Sequence, residues 1–231
     1  MEIIPVEGVP EVRPGDRLAD LLVAGSVAFQ DGDVVVVTQK VVSKAEGRMV
    51  AVDHDDPRAR AAVVEGESVR VLRRRGDLVI TETSAGFVCA NAGVDLSNVP
   101  EGFATLLPVD ADRSARRIRD GLRARTGVEV AVVVSDTFGR PWRRGLTDVA
   151  IGCAGIAAVV DLRGTTDTQG RELHVTEVAV VDELAGAAEL VMGKASGICA
   201  AVVRGVDPTW LREGGSVRAE IVRPPAEDLF R

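Results

Sequence analysis

Cysteine, histidine and lysine are all scarce in this sequence, and each shortage removes a class of chemistry. Cys89, Cys153 and Cys199 are odd in number, widely spaced and without a C-x-x-C pair. They support neither a disulfide framework nor a zinc–thiolate centre, and read as small core residues of a protein kept in a reducing, cytoplasmic compartment. The two histidines are His54, in the polar stretch His-Asp-Asp-Pro, and His174, three residues before Glu177. They leave little material for Cys–His or Ser–His catalysis or for a metal site. The longest apolar runs, such as Val34–Val37 and Val130–Val134, are far too short to span a bilayer. The opening Met-Glu-Ile-Ile-Pro lacks the basic and apolar regions of a signal peptide. No G-x-G-x-x-G occurs, so a Rossmann site is unsupported. The nearest approach to a Walker A loop, Gly186 to Gly193-Lys194-Ala195, has the wrong spacing and alanine in place of the metal-binding hydroxyl.

Lysine is the sharpest shortage. Of 28 basic residues only Lys40, Lys44 and Lys194 are lysine. With Ala, Val and Gly abundant, this looks like the coding bias of a GC-rich genome, under which most surface lysines drift to arginine. The survivors are therefore candidates for a role that arginine does not fill.

What is present is ordinary globular material. The chain has 231 residues, 46% hydrophobic and 27% charged, enough to bury a full core. There is no repeat, low-complexity tract or Gly/Ser linker, so residues 1–231 read as one unit. Residues 222–231, with Arg223-Pro224-Pro225, read as the start of a linker. The net charge of −7 argues against non-specific binding to nucleic acid or anionic membrane.

Apolar periodicity and turn residues predict a mixed α/β fold. Helices are expected over 18–29, in a short stretch 38–45, from Pro57 to about residue 65, over 177–192, and to about Arg125 from a cap at Asp112 or Ser114. Strands are expected at 34–38, 69–72, 78–81, 86–89, 128–134, 156–162 and 198–203. Between them, 91–100 reads as a loop, 135–145 as a long polar loop and 147–154 as a small-residue segment.

Three stretches could carry chemistry. Asp136-Thr137 follows a buried strand, where ligands collect in sheet proteins. Its carboxylate and hydroxyl are hard ligands suited to magnesium or manganese, and Arg140, Arg143 and Arg144 follow with guanidiniums fit for phosphate or carboxylate. The competing reading is a capped surface turn with solvated arginines. Asn91-Ala-Gly-Val-Asp95-Leu-Ser-Asn98 lets backbone approach a ligand closely and offers an acid and an amide, or else simply closes an Asx-turn. Thr38-Gln39-Lys40-Val-Val-Ser-Lys44 offers compact positive charge for phosphate, or is a helix start with solvated lysines.

Taken together, V-V-V-T-Q-K-V-V-S-K-A-E-G-R, A-G-V-D-L-S-N-V, S-D-T-F-G-R-P-W-R and V-T-E-V-A-V-V-D-E-L-A-G-A-A-E-L-V resemble the coenzyme F420:L-glutamate ligase family. The match in motif order covers nearly the whole chain. The resemblance implies mixed sheets with flanking helices in an intertwined homodimer. It implies a GTP-dependent ligase that joins L-glutamate to the deazaflavin precursor F420-0, or its dehydro form, and can add further γ-linked glutamates through an acyl phosphate. Magnesium or manganese serves as cofactor, and potassium assists.

Carried over residue by residue, the resemblance makes Asp95 and Asp136 metal ligands and catalytic, and Thr137 a ligand to a second metal. Val9, Pro10, Glu11 and Val12, with Gln39, Lys44 and Asn98, become GTP-binding positions, and Lys44 counts also as catalytic. Two departures stand out. Position 39 is often serine in relatives. Archaeal relatives usually carry an acid near Met192-Gly193, where this chain has Lys194. Protonated lysine cannot ligate a cation, so Lys194 instead neutralises phosphate charge in this reading. Glu177, Asp182 and Glu183 are the candidates for a general base, against the plainer reading of a solvated helix face. Actinobacterial relatives often continue into a reductase-like domain, and the linker reading of 222–231 makes this chain the ligase portion of such a protein. Two other classes of function compete: a metal-dependent GTP phosphohydrolase using Asp95 and Asp136, and a non-catalytic nucleotide-binding module.

Overall fold

The computed structural model describes residues 1–229; Phe230 and Arg231, the end of the 222–231 linker reading, lie outside the described residues. In chain order the elements are β1 (Glu2–Pro5), α1 (Leu18–Val23), β2 (Val34–Thr38), α2 (Gln39–Ala45), β3 (Met49–Ala51), α3 (Pro57–Gly66), β4 (Ser68–Arg75), β5 (Leu78–Thr83), β6 (Val88–Ala90) and β7 (Phe103–Thr105). They continue with α4 (Ala111–Thr126), β8 (Ala131–Arg140), β9 (Arg143–Ala154), β10 (Val160–Asp161), β11 (Glu177–Val178), α5 (Val180–Met192), β12 (Ala200–Arg204) and α6 (Val217–Glu220). The mixed α/β expectation holds.

The core is a five-stranded sheet in the order β1-β12-β2-β8-β9. Only β2 and β8 run parallel, from Val34 on Ala131 to Thr38 on Ser135; the other pairs are antiparallel. Both central strands are valine runs buried on two faces, as a parallel pair requires. Alternation sends Val35, Val37, Val132 and Val134 into one core with α1 and α4. Val34, Val36, Ala131 and Val133 enter a second core with α5. Three small sheets, β4-β5-β6, β3-β7 and β10-β11, lie outside this layer.

Several elements differ from the sequence expectation. The helix expected over 18–29 stops at Val23, because the chain then turns back on the N-terminal segment. Ser26 binds Glu7 through both backbone and hydroxyl, and a Cβ at Gly25 would stand 2.7 Å from Val6. The polar loop expected over 135–145 is a hairpin: β8 continues past the core and pairs with β9, turning at Pro141-Trp142. The small-residue segment is β9 itself. The long strand expected over 156–162 shrinks to Val160–Asp161, and the helix of 177–192 begins at Val180 because Glu177 and Val178 pair with β10. β3 and β7 had no clear sequence signal; each is three residues long and held by its partner.

The cap of α4 is Asp110, which accepts the Arg113 N–H at 2.8 Å, and neither Asp112 nor Ser114 serves. Asp112 has another task. Its buried carboxylate accepts the N–H groups of Cys153 (2.9 Å) and Val217 (3.0 Å) and the Ser216 hydroxyl (2.6 Å). It thus ties α4, β9 and α6 together. The helix ends at Gly127 in the left-handed region, as anticipated. Cys89 and Cys153 are buried and Cys199 half-buried, all free thiols. Among the described residues no helix is long and apolar enough to cross a membrane.

The closeness of α4 to β9 gives a test. A Cβ at Gly152 would lie 2.2 Å from the Ala111 carbonyl carbon. Gly152→Ala should lower stability by about 1–3 kcal/mol, seen as a lower urea midpoint at unchanged slope. Gly139→Ala, which meets open space in the same hairpin, should stay within about 0.5 kcal/mol of the parent.

Candidate active site

The parallel register of β2 and β8 brings their carboxyl ends together, so that Thr38-Gln39-Lys40 and Ser135-Asp136-Thr137 emerge side by side. Chain turning immediately into α2 then places Lys40 and Lys44 one helical turn apart on one face. The loop carrying Asp95 is fastened beside them. Asp95 and Thr105 exchange backbone hydrogen bonds at 3.0 and 2.9 Å, and the next residue, Leu106, is held by α2. The Leu106 carbonyl accepts from the Gln39 Nε2 at 2.9 Å and from the Ser43 hydroxyl at 2.6 Å. Gln39 is only 2% exposed and its amide nitrogen is committed to these contacts. It braces the Asp95 loop against α2.

The two carboxylates singled out in the sequence differ in state. Burial alone would raise the Asp95 pKa. Lys40, at 2.9 Å, and the N–H of Ser97, at 2.7 Å, outweigh that and hold it below the usual carboxylate range. Among the described residues Asp136 forms no such ion pair. Burial pushes its carboxyl up to about 7, helped by the negative charges of Asp148 and Asp95, against which the Thr137 N–H and Lys40 work only in part. Asp95 and Asp136 are thus within electrostatic reach of each other.

A hard divalent cation fits this arrangement. Asp136 is a carboxylate whose ionised form is only partly compensated, by the Thr137 N–H and Lys40, and Asp95 lies near it. Among the described residues no three His, Cys, Asp or Glu side chains converge as a ready metal cage. Magnesium commonly takes one or two carboxylates from the protein and its remaining ligands from phosphates and water.

Asp148 is the residue that sequence reasoning missed. It lies opposite Thr137 in the hairpin register and is 3% exposed. It accepts from the Thr137 hydroxyl at 2.6 Å, the Ser135 hydroxyl at 2.9 Å and the Lys194 ammonium at 3.0 Å. Lys194 also pairs with Glu189 at 3.2 Å and donates to the Thr137 hydroxyl. Burial would lower its pKa, but Asp148 and Glu189 raise it above the ordinary lysine value. The only signal for Asp148 was its alternation with Thr137 across a turn, legible once Pro141-Trp142 is seen as a hairpin tip.

The remaining predicted residues divide. Lys44 is buried and paired with Glu11 at 2.6 Å, which fastens the segment Val9, Pro10, Glu11 and Val12 to α2. Asn98 donates to the Lys194 carbonyl at 3.5 Å, joining the Asp95 loop to the turn after α5. Arg140, Arg143 and Arg144 are exposed towards the hairpin tip, where Arg140 binds the Arg144 carbonyl. Of the general-base candidates, Asp182 accepts the Ala150 N–H at 2.9 Å, whereas Glu177 and Glu183 are exposed. His54 and His174 are exposed and away from these residues in their contacts, on Phe103 and Glu172.

Residues 8–205 match the family model described as F420-0:Gamma-glutamyl ligase. The chain is 44% identical over its whole length to the coenzyme F420:L-glutamate ligase of Methanopyrus kandleri, covering 98% of that protein. It is 43% identical to the protein of that name from Methanothermobacter thermautotrophicus, with 99% coverage. The Haloarcula marismortui protein of the same name is 44% identical, with 96% coverage.

The raised Asp136 pKa predicts a pH effect in metal-free protein. Between its ordinary value near 3.8 and about 7, the folded state holds a proton that the unfolded chain has released. Stability contributed by that proton is present at low pH and lost as pH rises towards 7. Asp136→Asn should therefore match the parent near pH 4 and exceed it at pH 8, by thermal melts in EDTA.

Proposed function

The chain belongs to the F420-0:gamma-glutamyl ligase family, and from that premise we propose that it joins L-glutamate to the deazaflavin precursor F420-0, using GTP. The observation that carries the reading is the parallel pairing of β2 with β8, which brings Asp136 beside the Lys40–Asp95 pair, with Lys44 one turn further along α2.

Joining a carboxylate to an amine needs an activated carboxyl. A carboxylate oxygen of the precursor attacks the γ-phosphorus of GTP, and GDP leaves. The glutamate nitrogen, having lost a proton to water, attacks the acyl carbon, phosphate leaves, and the nitrogen releases its second proton to water as the amide forms. The first step brings anion to anion, so positive charge and orientation are what the protein must provide. Magnesium or manganese, when bound, supplies charge against the phosphates, with Asp95 and Asp136 the residues that would hold it. Lys44, desolvated on α2, places an ammonium beside the N-terminal stretch Val9–Val12, where we place GTP together with Gln39 and Asn98. Lys40 keeps Asp95 ionised. Gln39 and Ser43 fix the distance between the Asp95 loop and α2. No nucleophilic side chain is required, in keeping with the buried, raised thiols of Cys89 and Cys153, each pushed up to about 12 by desolvation.

The reading carries with it a cytoplasmic homodimer, assisted by potassium. The β8–β9 arm, with Trp142 83% and Leu146 68% exposed, offers apolar surface to a second copy.

Incubation with GTP, Mn²⁺, F420-0 and L-glutamate should give a product heavier than the precursor by one glutamyl unit, by mass spectrometry. Release of phosphate without that increase points to a GTP phosphohydrolase, and binding without turnover to a nucleotide-binding module. Asp136→Ala should lower kcat by about 10²-fold or more with an unchanged circular dichroism spectrum. Glu11→Ala should act mainly on the KM for GTP, because it loosens the Lys44 contact at the edge of the site.

A further inference from the structure

Lys194 sits in a cage of oxygens. Its ammonium meets Asp148 Oδ1 at 3.0 Å, Glu189 Oε1 at 3.2 Å and the Thr137 hydroxyl. An ammonium has three donors, and these are three acceptors. The separations to the two carboxylates are hydrogen-bond lengths, so the ammonium is held on one side by charge-assisted hydrogen bonds while the side chain stays 56% exposed. Asp148 is saturated further by Ser135.

The same residue bridges four parts of the fold. Its ammonium grips β8 and β9 through Thr137 and Asp148, it reaches back to α5 through Glu189, and its carbonyl takes the Asn98 amide of the Asp95 loop.

We infer that Lys194 is a tethered cation occupying the Asp148–Glu189–Thr137 cage, and that the chain consequently takes up one divalent ion where Thr137 would otherwise help to hold a second. The inference rests on the reading of Asp95 and Asp136 as the divalent-ion residues. Lys194 is a positioning residue: it sets the charge of the cage and the approach of the hairpin to the Asp95 loop.

Titration of the metal-free protein with Mn²⁺, followed by electron paramagnetic resonance of the free ion, should give one bound Mn²⁺ per chain. Lys194→Ala should bind two, or, if its empty cage takes a monovalent ion, should melt higher on addition of methylammonium while the parent does not. Two Mn²⁺ in the parent, or none, overturns the inference. So does a folded Lys194→Ala protein that binds one Mn²⁺ and ignores methylammonium. Should that variant fail to fold, Lys194→Gln, which keeps the side-chain length without the charge, goes through the same titrations. Neither readout needs turnover. A chain that counts metals as expected and adds no glutamate overturns the ligase reading and leaves this inference standing.

Discussion

The parallel pairing of β2 with β8 is the constraint on which the rest of the molecule depends. Two valine strands can lie parallel only if both faces are covered, and α1 with α4 on one side and α5 on the other supply the cover. Because the strands share a direction, their polar continuations leave at the same end. α2 springs from one and the hairpin from the other, so lysines and carboxylates meet there without any long loop to carry them. The Asp95 loop is then attached by backbone bridges to Thr105 and by the Leu106 carbonyl to Gln39 and Ser43.

Electrostatics at this end runs opposite to the usual economy of a protein surface. Carboxylates are gathered there, all but Glu11 at least partly buried, and each except Asp136 is given a cation: Lys40 to Asp95, Lys44 to Glu11, Lys194 to Asp148 and Glu189. All three lysines of an arginine-rich chain are spent in this way. A lysine is a compact charge with three donors on a thin stem, which suits the three oxygens Lys194 meets on Thr137, Asp148 and Glu189. The net charge of −7 therefore says little about this end of the molecule, whose field is set locally by three ammoniums and the carboxylates they face.

The legibility of the sequence followed the range of the forces involved. The strand at Val34, helix α2, helix α3 with proline at its start and the stop at Gly127 were all readable, because apolar period and terminal residues decide them over a few positions. The hairpin was not, because Ser135–Gly145 is polar enough to pass for a loop, and only the partner strand makes it β. Asp112 looked like a cap because it is an acid near a helix start, whereas its carboxylate is claimed by residues 41 and 104–106 positions away.

The sequence by itself determined the family and the mixed α/β class, and through its resemblance it nominated Asp95, Asp136 and Lys44 for the site. These rest on residue order and local pattern. Tertiary structure alone decided that Gln39 is a brace, that Asp148 joins the site and that Lys194 fills an oxygen cage. The physical reason is that burial and cross-strand register determine which polar atoms must find partners, and those partners lie tens of residues away in the chain.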